Sequence, residues 1–300
     1  MTTDSKKELT KTLWVSLCCL AVFNLALAMS AIWLSKSFKN FDPDTSGAPY
    51  FFAVFAELFI VYIASSKTMR HRFFTVNKRP SKQISFMAIC LLGLTQIFFS
   101  INSDLLEAIL NFFHLSAQAQ VESATASSDT LSMFLYSALL APIGEEILFR
   151  GYLLRNFQKL DERFAIIFSA LLFGLYHGNI DQTPFAFVLG ILLGYIAVNY
   201  GIYYSIALHI FNNMILGDFF SFVLDKLPDS LGNMLNSSVM LFLGICGCYF
   251  IYRYFERLKQ QYLSTPPDWV LIRISLLNIP FLLFLAVALL EMITGLTTIK

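Results

Sequence analysis

The sequence predicts an all-α fold: a polytopic membrane bundle of about eight or nine transmembrane helices, with the N-terminus in the cytoplasm. Three observations carry this. The 300 residues are 57% hydrophobic and only 14% charged, against about 25% charged in soluble domains. Aromatic residues make up 16%, with 31 phenylalanines, and mean hydropathy is +0.64. Apolar stretches near the roughly 20 residues needed to cross a bilayer core recur along the whole chain.

In order, the apolar stretches fall at residues 12–35, 49–66, 83–101, 131–150, 164–178, 184–199, 202–220, 237–252 and 270–291. The first is too long for a signal-peptide core and lacks a clear cleavage site, so it reads as a retained span. The fifth and sixth are short and read as full or partial spans. With the N-terminus inside, only Lys36, Lys39, Lys226 and Lys300 of the 21 Lys and Arg fall on the outer side, the asymmetry expected of cytoplasmic loops. Residues 102–130 hold no Lys or Arg and end in the polar run 123–129, so they read as an outer loop. Its first half, Leu105 to Leu115, has the helical spacing of a segment lying flat in the interface. Tyr152 to Lys159 reads as a short interfacial helix. Gly178 to Pro184 is a turn by composition, and Gly190, Gly194 and Gly201 suit close helix approach. Trp14, Trp33 and Trp269 stand near span ends, the preferred depth for tryptophan. All five cysteines lie in apolar runs without disulfide or zinc-finger spacing, and read as small buried hydrophobes. Three parts result: N-terminal helices and outer loop (1–130), a central core (131–217) and C-terminal helices (218–300). Net charge of +1 gives no sign of a nucleic-acid partner.

The chemistry sits in the core. Glu145, Glu146 and Arg150 lie within one apolar segment, Phe173 and His177 in another, His209 and Asn213 in a third. A charge at bilayer depth costs roughly 2.5–3.5 kcal/mol or more, and so marks function. On an α-helix, residues four apart share a face. Glu146 can therefore pair with Arg150, leaving Glu145 to face His177 and His209 across the bundle. A carboxylate beside imidazoles can bind a metal, activate water or relay protons, and His209 with Asn213 can donate to an oxyanion. Taken singly, each pair has a structural reading: an ion pair, a hydrogen-bonding histidine, a packed phenylalanine. Their gathering within about 70 apolar residues favours chemistry. Glu57, mid-way through the second span, pairs with another polar group or lines the cavity. No His-Glu-x-x-His, Gly-x-Ser-x-Gly or Walker loop occurs.

Depth arithmetic adds a condition. At 1.5 Å per residue, His177 lies about 20 Å above Phe164, too deep to meet Glu145 if that helix crosses the membrane. The helix is therefore expected to end inside the protein, with the following turn below the outer surface.

At Glu145-Glu146-x-x-x-Arg150, Phe173-x-x-x-His177 and His209-x-x-x-Asn213 the chain resembles the CPBP family, the CAAX proteases and bacteriocin-processing enzymes, also called Abi or Rce1-like. The resemblance covers roughly Ser132 to Gly217 and implies a multi-pass intramembrane endopeptidase, in a bacterial plasma membrane by its closest usage. It implies Glu145 as the base that activates water, His177 as its positioner, His209 and Asn213 as the oxyanion pair, and Glu146 and Arg150 as support. If zinc is used, Glu145, His177 and His209 are the implied ligands, and the same residues suffice for metal-free hydrolysis. The implied substrate is a membrane-associated peptide or protein, in bacteriocin maturation, self-immunity or peptide-signal processing. Two other classes remain: a non-proteolytic regulator that binds partner membrane proteins, and a proton- or ion-coupled transporter using Glu57, Glu145 and Glu146.

Overall fold

The computed structural model describes residues 2–43, 45–120, 130–219, 223–224, 226–264 and 266–299. The expected polar run at 123–129 lies outside them. The chain is almost wholly helical. In order come α1 (Thr3–Ser37), α2 (Ala48–Ala64), α3 (Lys67–Phe73), α4 (Lys82–Phe112), α5 (Leu131–Phe157), α6 (Glu162–Tyr176), α7 (Gln182–Asn199), α8 (Ile202–Ile210, continued as a π-helix over Phe211–Phe219), α9 (Asp229–Tyr262), α10 (Trp269–Leu276) and α11 (Ile279–Thr294). Leu115–Ser116 and Thr297–Thr298 form a two-stranded antiparallel ribbon, β1 and β2, that ties the end of α4 to the C-terminal segment.

The expected eight or nine spans are not reached. Among the described residues five helices, α1, α4, α5, α7 and α9, are long and apolar enough to cross a membrane. The pair α10–α11, bent by 60°, makes a sixth if taken as one span. The cause is length. α2 has 17 residues and α6 has 15, so α6 is about 22 Å long against a hydrocarbon core of about 30 Å. α6 ends at Tyr176, and the turn after it is held by protein: Gln120 Oε1 accepts from Ile180 N at 2.7 Å, and Asn179 Nδ2 donates to Gln120 O at 3.0 Å.

Other boundaries move for equally physical reasons. α4 runs straight on to Phe112, so Leu105 to Phe112 extends that helix rather than lying flat in the interface. α5 does not stop at Arg150. Tyr152, Leu153, Leu154 and Phe157 are fully buried, so the expected interfacial helix is the core end of α5. Pro142, lacking an N–H, leaves a carbonyl one turn back without its partner, and α5 widens into a π-turn at Tyr136–Leu140, then again at Ile147–Leu153. Gly201 admits a close approach, though not of two helices: it sits between α7 and α8 at φ 114°, where only glycine is unstrained, and a Cβ there would stand 2.8 Å from Thr75 O. Cys18 and Cys248 are exposed on outward helix faces, whereas Cys19 and Cys90 are buried. The three tryptophans are all well exposed, as interfacial side chains should be.

The core is built by α1, α5, α6 and α11, with Leu13, Leu148, Phe157, Leu172 and Phe284 buried together. α7 lies along α6, and Gly190 allows it. A Cβ there would stand 3.0 Å from Ala170 Cβ and 3.1 Å from the Phe173 ring. α8 returns against α5, and α2 packs on α1 and α5.

Candidate active site

α5 offers Glu145 and Glu146 from the α-helical stretch between its two π-turns, and Arg150 from the second π-turn. Arg150 Nη1 lies 3.0 Å from Glu146 Oε1, with the two side chains 1% and 0% exposed. Arg150 Nη2 donates to Gly190 O on α7 at 3.2 Å, and its guanidinium carbon stacks 4.3 Å over the Phe173 ring. Arg150 thereby joins three helices.

Glu146 gathers two more donors, both from α8. Ser205 Oγ donates to its Oε2, and His209 Nδ1 lies 3.1 Å from its Oε1. A carboxylate ion-paired to arginine can only accept, so Nδ1 carries the hydrogen. The other ring nitrogen, Nε2, is thereby aimed at Glu145, 3.7 Å from its Oε2. Sequence spacing gave Glu146 to Arg150 alone and left His209 to Glu145. Instead, His209 bridges the two carboxylates. Glu145 is the more open of them, its side chain 17% exposed.

His177 is fixed by the same logic. Its Nδ1 is 2.8 Å from Phe173 O, an obligate acceptor, so Nδ1 donates and Nε2 is left with a lone pair. Phe173 is the hub between the histidines. Its ring meets His177 at 4.9 Å and His209 at 5.8 Å between centroids, each edge to face. The structure thus brings Arg150, His177 and His209 around one buried ring, with Glu146 held by Arg150 and His209 and with Glu145 facing His209. Asn213 lies one turn beyond His209, where the helix has widened. Its Nδ2 donates to Ser137 O at 3.0 Å and its Oδ1 accepts from Asn212. Among the described residues no polar contact joins it to Glu145 or His209.

The zinc set implied by the sequence does not converge. Glu145 and His209 face each other, but among the described residues no three His, Cys, Asp or Glu side chains are placed to hold one ion. An open catalytic zinc needs three such ligands at about 2.0–2.2 Å.

Two residues escaped the spacing argument. Ser205, four residues before His209, shares its helix face, and that polar pairing was the available signal. Glu57 on α2 is 1% exposed. One turn before it, Val54 packs on Gly144, where a Cβ would come within 2.9 Å of Val54 Cγ1. Glu57 is therefore held beside the Glu145 turn. The Tyr176 hydroxyl lies near its carboxyl. Neither Glu57 Oε1 nor Tyr176 Oη has a hydrogen-bond partner among the described residues.

Residues 127–215 match the family described as type II CAAX prenyl endopeptidase Rce1-like. The matched stretch runs from α5 into the continuation of α8 and holds every residue of the cluster except Glu57. The match indicates a protease-type hydrolase, here within a multi-pass membrane protein. No curated protein and no solved structure matches the chain.

Proposed function

We propose that the chain is an intramembrane endopeptidase that hydrolyses a peptide bond in a membrane-associated peptide or protein. The observation that carries this reading is the placement of His209, with Nδ1 on Glu146 and Nε2 toward Glu145. A gap of 3.7 Å is too long for a direct hydrogen bond. It suits one oxygen bonded to both groups, as when a water bridges two polar atoms.

In this reading Glu145 takes a proton from that water as its oxygen bonds to the amide carbon. His177 Nε2, a fixed acceptor, orients the water. The second Nδ2 hydrogen of Asn213, and the Nε2–H of His209 in its doubly protonated form anchored by Glu146, face the carbonyl oxygen as charge develops on it. Collapse of the adduct breaks the C–N bond, and the proton held by Glu145 passes to the leaving nitrogen. Glu146, Arg150, Ser205 and Phe173 hold these groups in place. No step is assigned to a metal, because the three candidate ligands do not converge. The substrate class we favour is a peptide processed at the membrane, in bacteriocin maturation, self-immunity or peptide signalling.

The test compares peptides released from membranes holding wild type, Glu145→Gln or His209→Ala, each with and without a zinc chelator. Loss of the same peptides in both variants supports the reading. Unchanged release in Glu145→Gln refutes it. Loss of release on chelation would refute the metal-free step.

A further inference from the structure

The first turns of α1 and the end of α2 enclose an open groove of about 790 Å³, whose lining includes none of the cluster on α5 to α8. Lys6, Lys7, Lys11, Trp14 and Cys18 of α1 line it, with Ile60 of α2 on the other wall. The placement follows from the helix period. Leu9, Leu13, Ser16 and Leu20 face the core and are buried, which turns Lys7, Lys11, Trp14 and Cys18 outward along the opposite face. Charge and apolarity are ordered along the groove. The lysines crowd one end; Trp14, 47% exposed, marks the middle; Cys18 and Ile60 form the apolar end. From Lys7 to Cys18 the stripe runs about 17 Å along the helix axis.

The cations are unclaimed. None of Lys6, Lys7 and Lys11 takes part in an ion pair among the described residues. Asp4 and Glu8, the acidic residues of the same segment, do not line the groove. Three positive charges at one end of an apolar trough, with a tryptophan at the junction, match an amphiphile with a negative head. A soluble anion would leave the apolar wall unused, and a neutral lipid would leave the lysines unpaired.

We infer that this groove is a binding site for an anionic phospholipid, its phosphate-bearing head held by Lys6, Lys7 and Lys11 and its acyl chain lying along Trp14, Cys18 and Ile60. Each lysine near an anionic lipid surface strengthens the attraction about fivefold, and the three act on one head group. Exposed charges make the preference sensitive to salt.

Trp14 is a built-in reporter. The full chain carrying Trp33→Phe and Trp269→Phe is reconstituted in phosphatidylcholine vesicles in which brominated phosphatidylglycerol or brominated phosphatidylcholine replaces part of the lipid. The expected result is that brominated phosphatidylglycerol quenches Trp14 with a relative association constant about tenfold higher. The preference should fall to within about twofold of unity in Lys6→Gln/Lys7→Gln/Lys11→Gln, and weaken in high salt. Equal quenching by the two lipids overturns the inference, as does a preference that survives the triple substitution. All three lysines are exposed, so folding is spared. Single substitutions, each expected to lower the preference in part, check this. The readout needs no cleavage and stands or falls apart from the peptidase reading.

Discussion

Removing Arg150 and removing Glu146 should have different costs, and the difference follows from the partners of each. At 3.0 Å the gross attraction of the pair is about 5–6 kcal/mol at an effective dielectric of about 20. Breaking a buried pair by deleting one member typically costs about 3–5 kcal/mol, because the other charge stays buried. Arg150→Met leaves Glu146 with His209 and Ser205 as donors, so its cost should lie near 3 kcal/mol. Glu146→Met strands the guanidinium, which keeps only Gly190 O, together with the His209 Nδ1 hydrogen. Each stranded donor adds about 1–3 kcal/mol, so this cost should reach 5 kcal/mol or more. The double variant removes both charges and should lose at least about 2 kcal/mol less than the sum of the single losses. Equilibrium unfolding in mixed micelles, followed through the intrinsic tryptophans, measures all three. Equal single losses, or additivity within about 0.5 kcal/mol, would show that Arg150 and Glu146 are not the coupled pair described.

Three further outcomes are expected. Glu57→Leu should keep or raise stability by about 1–3 kcal/mol, since a buried carboxyl whose Oε1 has no hydrogen-bond partner among the described residues is replaced by apolar volume; a loss above 1 kcal/mol in the same unfolding assay would mean that the carboxyl is satisfied. Ser205→Ala should leave the fold intact, with a loss near 1 kcal/mol, and lower peptide release about tenfold by loosening Glu146 and with it His209; full release would remove Ser205 from the site. Gly190→Val should cost about 1–3 kcal/mol by forcing α7 away from Ala170 and Phe173, read as a lower melting temperature in detergent.

Much of the site was legible before any coordinates. Charged and imidazole side chains are rare in apolar sequence, so Glu145, Glu146, Arg150, His177 and His209 stood out by context alone. The short α6 was legible too, because its 15 residues cannot span a bilayer core. Span limits were less so. α4 and α5 continue past their apolar stretches, and nothing in local hydropathy says that Tyr152 to Phe157 is covered by protein instead of lipid headgroups. Ser205 was hidden, and Glu57 stood out without a place in the cluster, for a related reason. A serine in an apolar helix is ordinary, and a lone glutamate on a distant helix has no partner at any fixed spacing.

By itself the sequence determined the membrane-embedded helical nature of the chain and the short list of side chains able to do chemistry in it. Both depend on composition and on the 3.6-residue period, which are local. Only the tertiary structure decided how those side chains are shared: His209 between two carboxylates, Arg150 across three helices, Phe173 beneath both imidazoles, and Asn213 drawn off to Ser137. Apart from Phe173 and His177 on one helix, these contacts join residues 23 to 76 positions apart. They are set by how α5, α6, α7 and α8 pack and by the π-turns that rotate α5, and no local pattern encodes them.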